Sequence, residues 1–283
     1  MTVLGAGPSL DELLTTLETM PVSRAPALAV VRLAGDPGVE TTELAQACAT
    51  DPILAAQLLR VANSAAYGLS TQVTTIKRAV IVLGTSSVRS VAAAAVASSA
   101  LQDGPRPSPS FWITAAATAT AAARVASRVG ASRDEAFCVG VLHELGAALL
   151  QRVDPEGWPT LVNECVAAGE STINAERERY GVDHAWAAAR VLHSWDFPSS
   201  LCDAVARHHE PASSTLLSPL PAALLAGRAL AAMVPGTASH DPTVSGPDGM
   251  DALLVAGIDG DEATAMAELV RESSADLAAA LLG

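Results

Sequence analysis

Aromatic side chains make up only 3% of this 283-residue sequence and charged residues 17%, yet half of it is hydrophobic. That excludes a disordered polymer and leaves apolar surface for one large core or two modest ones. Alanine is abundant throughout. Such a chain favours closely packed helices, because alanine has the best helix propensity and lets helix axes approach. The four cysteines, Cys48, Cys138, Cys165 and Cys202, lie far apart without a Cys-x-x-Cys pair. They are expected to be small buried apolar residues in a reducing compartment. No basic stretch followed by an apolar core marks a signal peptide at the N-terminus. The most apolar run, Val91 to Leu101, is too short to span a bilayer. The expectation is a cytoplasmic protein that does not enter a membrane.

Basic residues are also scarce, and the formal net charge is -13. Residues 1–105 hold six basic and eight acidic side chains, and the remainder eleven and twenty-two. An acidic surface repels phosphate backbones, which disfavours nucleic acid as a partner. Lys77, Arg78 and Arg89 could form one local basic spot, against the plainer reading of a solvated helix face.

Strand alternation, fixed-period repeats and heptads are nearly absent, whereas helix signals recur from end to end. Ser9 and Glu12 have the spacing of a capping box, followed by the stripe Leu10, Leu13, Leu14 and Leu17, with Pro21 ending the helix. Asp51-Pro52 reads as an N-cap and first-turn proline. Behind it come Leu54, Leu58, Leu59 and Ala62, with a stop near Gly68. Thr75 opens a segment with Ile76, Ala79, Val80 and Leu83 at helical spacing. Gly84 ends it, and Ser86 or Ser87 can cap the next helix. A helix, glycine turn and helix could belong to a DNA reader, but Val91 to Val96 offers no groups that read bases. Residues Gln102 to Ser110 read as a boundary. Helices are then expected over 111–129, 134–151, 158–169, 172–180, 183–196, 199–209 and 216–233. Pro235 to Gly249 reads as a second loop, followed by one or two short helices with Leu253, Leu254, Met266, Leu269 and Val270. The fold class is all-α, divided at 9–105, 106–234 and 235–283.

The chemistry rests on histidines. His143-Glu144-Leu145-Gly146 follows the apolar run Ala136 to Leu142, so its helix should be central. A buried histidine and carboxylate need partners. Alternatively, His143 bonds to a backbone carbonyl and Glu144 faces solvent. His184 follows Asp183, a plausible N-cap. His208 and His209 are placed in a last helical turn, where the dipole favours imidazolium, and His208 shares a face with Leu201, Ala204 and Val205. His193 and His240 fit no pattern. Asn63, Ser64 and Tyr67 form a polar cluster at a helix end, read as satisfying helix-end groups and packing on the neighbouring part.

A longer ordered series contains these elements. It begins with Asp51-Pro52, Leu58 to Ala65 and Tyr67-Gly68, and continues with Ile76, Ala79-Val80, Leu83-Gly84 and Trp112. It ends with His143-Glu144-Leu145-Gly146, Gly181-x-Asp183-His184, Trp195 with Pro198, and His208-His209-x-Pro211. From about Pro21 to Pro211 the chain resembles the HDOD domain, the HD-related output domain of bacterial signalling proteins. The resemblance implies an N-terminal helical part packed on an HD-like helical bundle. Active members of the wider HD superfamily use a His…His-Asp…Asp pattern to hold one or two metals and hydrolyse phosphate esters. Carried over, it implies His143, Glu144, His184, His208 and His209 as the candidate metal set, for iron, manganese or zinc.

The chain departs from that pattern twice. The first histidine falls at Thr114, and the His-Asp doublet is His143-Glu144. Threonine is a poor substitute for imidazole, and glutamate's carboxylate lies one methylene farther out in a cage that tolerates roughly ±0.2 Å. The expected site is therefore vestigial, without a catalytic residue or required cofactor. The expected function is a non-catalytic signal-transduction module that binds a protein partner or a nucleotide-like ligand. The alternative is a metal-dependent phosphohydrolase or phosphodiesterase acting on nucleotides. A third reading, a transcriptional regulator using the helix pair around Gly84, needs Lys77, Arg78 and Arg89 to face phosphate.

Overall fold

The computed structural model describes residues 8–19, 25–65, 67–100, 107–195, 197–212, 218–237 and 247–282, and among them there is no strand. The chain is all-α. Five helices come first: α1 (Leu10–Thr19), α2 (Ala25–Leu33), α3 (Thr41–Ala49), α4 (Pro52–Ala62) and α5 (Ile76–Ala100). The caps predicted at Ser9 and Asp51 are present, whereas Ser87 Oγ accepts from no amide among the described residues and does not cap the stretch after Gly84. Ser9 N donates to Glu12 Oε2 at 2.8 Å while Glu12 N donates back to Ser9 Oγ at 3.3 Å. Asp51 Oδ1 accepts from the amides of Ile53 and Leu54. Asn63 closes α4 by donating to the carbonyls of Leu59 and Val73, and accepts from Val73 N at 2.7 Å. It thereby pins the segment that leads into α5. Gly84 sits in α5 with φ 73° and ψ 163°, a backbone that only glycine adopts readily, so the helix kinks there.

The bundle follows with α6 (Pro109–Val125), α7 (Arg133–Leu142), α8 (Leu145–Val153), α9 (Gly157–Ala168), α10 (Thr172–Tyr180), α11 (His184–Ser194), α12 (Ser199–Ala206) and α13 (Pro219–Ala232). The central helix is α6, buried from Thr114 to Ala122 and packed by α7 and α13. Its small side chains allow these close approaches. The chain ends with α14 (Pro247–Val255) and α15 (Gly260–Leu282). The latter, 23 residues long, is not the short helix expected from sequence. It packs on α6 and reaches α4, burying Val270, Leu277 and Leu281.

Three further expectations are corrected. The helix predicted over 134–151 is broken at His143 and Glu144, between α7 and α8. The helix predicted over 199–209 stops at Ala206, so His208 and His209 stand in the turn beyond it. Arg89 is not a phosphate-facing cation either. It is 5% exposed, with its guanidinium 4.3 Å above the Phe197 ring. Tyr67 crosses between parts as expected, edge-on to Phe137 with ring centroids 6.2 Å apart. The helical stretches Ile76–Val96 and Arg133–Val153 are apolar and long enough to cross a membrane, yet 72% and 83% of those windows are buried within the fold.

Candidate functional site

The break between α7 and α8 builds the site. Neighbouring residues in a straight helix point about 100° apart. At the break Glu144 takes φ -90° and ψ 4°, which turns both its side chain and that of His143 inward. Both are buried, at 3% and 1% exposure, so the solvent-facing alternative for Glu144 is wrong. Gly146 brings the next wall close. A Cβ there would lie 1.8 Å from the carbonyl oxygen of His184, so only glycine lets α8 and α11 approach and set His184 beside Glu144. Asp183 starts α11 by accepting from Trp186 N at 2.8 Å. The turn after α12 supplies His208 and His209, and α13 supplies Arg228.

The rings of His143, His184 and His208 form a cluster, with His208 5.3 Å from His143 and 5.4 Å from His184 between centroids. Each is anchored through Nδ1. His143 Nδ1 donates to the Gly140 carbonyl at 2.9 Å, and His208 Nδ1 to the Val205 carbonyl at 2.6 Å. His184 Nδ1 meets both Glu176 oxygens at 2.9 and 2.8 Å, and Glu176 also accepts from the His184 amide at 2.6 Å. On the other side of the His184 ring, Nε2 lies 2.8 Å from His209 Nε2. Glu144 stands between the rings, 3.6 Å from the Nε2 atoms of both His143 and His184.

These environments split the histidines. Burial, the largest influence, pushes His143 down to about 4 against the pull of Glu144, so its ring is neutral. His208 is driven well below its ordinary value by burial, and then by its neighbours His209 and Arg228. Hence the dipole argument for an imidazolium there is overruled. Burial also opposes charge on His184, but the charge and hydrogen bond of Glu176, with Glu144 and Asp183, raise it to about 9. Glu176 is lowered in turn, because His184 outweighs its own burial. The pair is an imidazolium and a carboxylate. His184 therefore donates through Nδ1 to Glu176 and through Nε2 to His209.

A divalent ion fits this donor set poorly. The anchored Nδ1 atoms resemble the outer-shell bonds that orient metal-binding histidines, and His208 Nε2 is buried without a hydrogen bond. Ligand atoms of His184, His208 and His209 lie within 4.8 Å of one another, but neither His143 nor Glu144 joins that set. Tetrahedral ligands about 2.05 Å from an ion stand roughly 3.3 Å apart, whereas the His184 and His209 nitrogens are already hydrogen-bonded. A fixed cation is also present. Arg228, 6% exposed, donates through Nη1 to the His208 carbonyl and lies 3.4 Å from His209 Nδ1. Thr114, His143, Glu144 and Arg228 line a cleft of about 10 Å³, room for one water.

Of the sequence candidates, the structure gathers His143, Glu144, His184, His208 and His209, and Thr114 faces the same cleft. His193 is exposed, and His240 lies outside the described residues. Glu176 and Arg228 were missed. Both left a signal. Glu176 shares a stripe with Thr172, Ile173 and Tyr180, all buried, and Arg228 is the one charge in an otherwise apolar α13.

Comparison with known proteins places most of the chain in a family. The family profile described as HDOD domain matches residues 20–211. A Shewanella amazonensis structure, named provisionally a phosphohydrolase, is similar at 24% identity and TM-score 0.74, over 95% of this chain and 97% of that one. An HDOD domain protein with unknown function from Geobacter sulfurreducens aligns at 21% identity and TM-score 0.71, over 96% and 95%. A Marinobacter aquaeolei structure, named provisionally a signal transduction protein, aligns at 22% identity and TM-score 0.72, over 100% of this chain and 63% of that one. These likenesses show the fold. No curated protein matches.

Proposed function

Since the chain belongs to the HDOD family, we propose that it is a non-catalytic signal-transduction module, binding a protein partner or a nucleotide-like ligand. The observation that supports this reading is the closure of the histidine cluster on itself. His184 Nε2 is hydrogen-bonded to His209, Glu176 neutralises His184, and Arg228 sits against His208 and His209. An arriving dication would have to displace a proton from an imidazolium while standing near a guanidinium, and both oppose it. Thr114 in the place of the first histidine leaves one wall of the cleft without a strong ligand. A cleft with room for one water also points the search for a partner or nucleotide-like ligand elsewhere on the molecule. The proposal includes a cytoplasmic location and no membrane partner. Nucleic acid is disfavoured by the net charge of -13 and by the burial of Arg89.

The second reading, a metal-dependent phosphohydrolase, draws support from the buried His208 Nε2 and the anchored rings around it. Elemental analysis of protein purified without a histidine tag or chelator separates the two. We expect well below one equivalent of iron, manganese or zinc, and no hydrolysis across a nucleotide panel with manganese or iron added. A near-stoichiometric metal, with activity that EDTA removes and His143→Ala abolishes, would overturn the non-catalytic reading.

A further inference from the structure

A second cavity, of about 30 Å³, lies at the seam between the N-terminal helices and the bundle and shares no wall residue with the histidine cleft. Tyr67 and Ser87 face it from the N-terminal side, Thr120 and Arg124 from α6, and Arg133 and Asp134 from the start of α7. Ala123 and Phe137 supply apolar wall between these polar and charged side chains. Thr120 is 4% exposed and its Oγ1 makes no hydrogen bond, so a donor or acceptor is held in the wall with nothing to bind. Arg133 makes no ion pair among the described residues, and Arg124 reaches only the Ser273 hydroxyl, at 3.3 Å. By contrast, Arg177, Arg179 and Arg271 each hold a carboxylate. In a chain with 30 acidic and 17 basic side chains, two guanidiniums without an ion pair among the described residues, beside one cavity, mark a place for an anion.

The shape of the donor set narrows the anion. Guanidinium forks match the oxygens of tetrahedral oxyanions, and hydroxyls supply further donors. Asp134 stands on the same wall and repels an anion that has lost all its protons. The same carboxylate accepts a hydrogen bond from an anion that keeps one O–H. We propose that this seam binds inorganic phosphate in its protonated forms. Arg124, Arg133 and the Thr120 and Ser87 hydroxyls would hold the bare oxygens, with Asp134 accepting the remaining P–O–H. Sulfate has no such proton at neutral pH, and phosphate monoesters lose theirs near pH 6. Both are rejected by the same carboxylate. The site is independent of the histidine cluster and stands under either reading of it.

The test is calorimetric titration of the full chain at pH 7 with potassium phosphate, potassium sulfate and glycerol 2-phosphate at matched ionic strength, with melting temperature as a second readout. Phosphate should bind at least about tenfold more tightly than sulfate, the difference one charged hydrogen bond supplies. Arg133→Ala, an exposed change, and Thr120→Val, which keeps the side-chain volume, should each weaken phosphate at least about threefold while the fold survives. Asp134→Asn should bring sulfate close to phosphate, because an amide can donate to it. A phosphate response no larger than that of sulfate, or one unchanged in Arg133→Ala and Thr120→Val, means an adventitious ion only and overturns the proposal.

Discussion

Glu176 carries the charge balance of the histidine cluster. Fully buried, it holds both the ring and the amide of His184, so removing its charge strands a buried imidazolium. Replacing one member of a buried pair costs about 3–5 kcal/mol. Glu176→Gln keeps the shape and should lose about 3 kcal/mol at pH 7, read as a lower urea midpoint. An unchanged midpoint would mean that the pair contributes nothing net. At this scale the sequence was half legible. Apolar flanks and ordered motifs picked out the inward histidines, because burial follows from periodicity. Their partners escaped because Glu176 lies in a strongly charged helix and Arg228 comes from a helix far along the chain. Charge pairing across such distances is fixed by packing, which a linear reading does not contain.

Between elements, the decisive contact is the crossing of α8 on α11 at Gly146. Alanine there would drive a methyl into the His184 carbonyl, and backbone on backbone leaves nothing flexible to yield. Gly146→Ala should therefore separate the two helices and cost at least about 3 kcal/mol, the upper range for overpacking. Loss of His184 protection in hydrogen exchange would be the accompanying sign. A melting temperature within a degree of the parent would refute the contact. Helices with strong local signals, such as those capped by Asp51 and by Ser9 with Glu12, were readable because their stop and start groups are neighbours in sequence. The break at His143 and Glu144 was not. Nothing from Ala136 to Leu150 interrupts helical periodicity, and the turn accompanies the packing of α8 on α11.

Across the whole molecule, the split histidines give stability a maximum in pH. His143, lowered from 6.5 to about 4, binds its proton more readily unfolded, so its contribution is lost as pH falls from 6.5 toward 4. His208 acts in the same direction. His184, raised to about 9, contributes fully below 6.5 and loses that contribution as pH climbs through 9. Thermal unfolding should therefore show its highest midpoint near pH 6.5, with each unit of either shift worth about 1.4 kcal/mol. A midpoint that keeps rising to pH 9 would mean that His184 is neutral.

The scarcity of rings has a consequence for how this protein tolerates change. Around α6, Ala115, Ala116, Ala117, Ala119, Ala121 and Ala122 have no exposed surface, and a core assembled from methyl groups has no large side chain to trim and no slack to fill. Variation there is one-sided. In a saturation scan scored by cellular abundance, exchange to glycine or serine at these positions should persist more often than exchange to valine, leucine or phenylalanine. That is the inverse of an ordinary leucine core, where the smaller residue is the one purged.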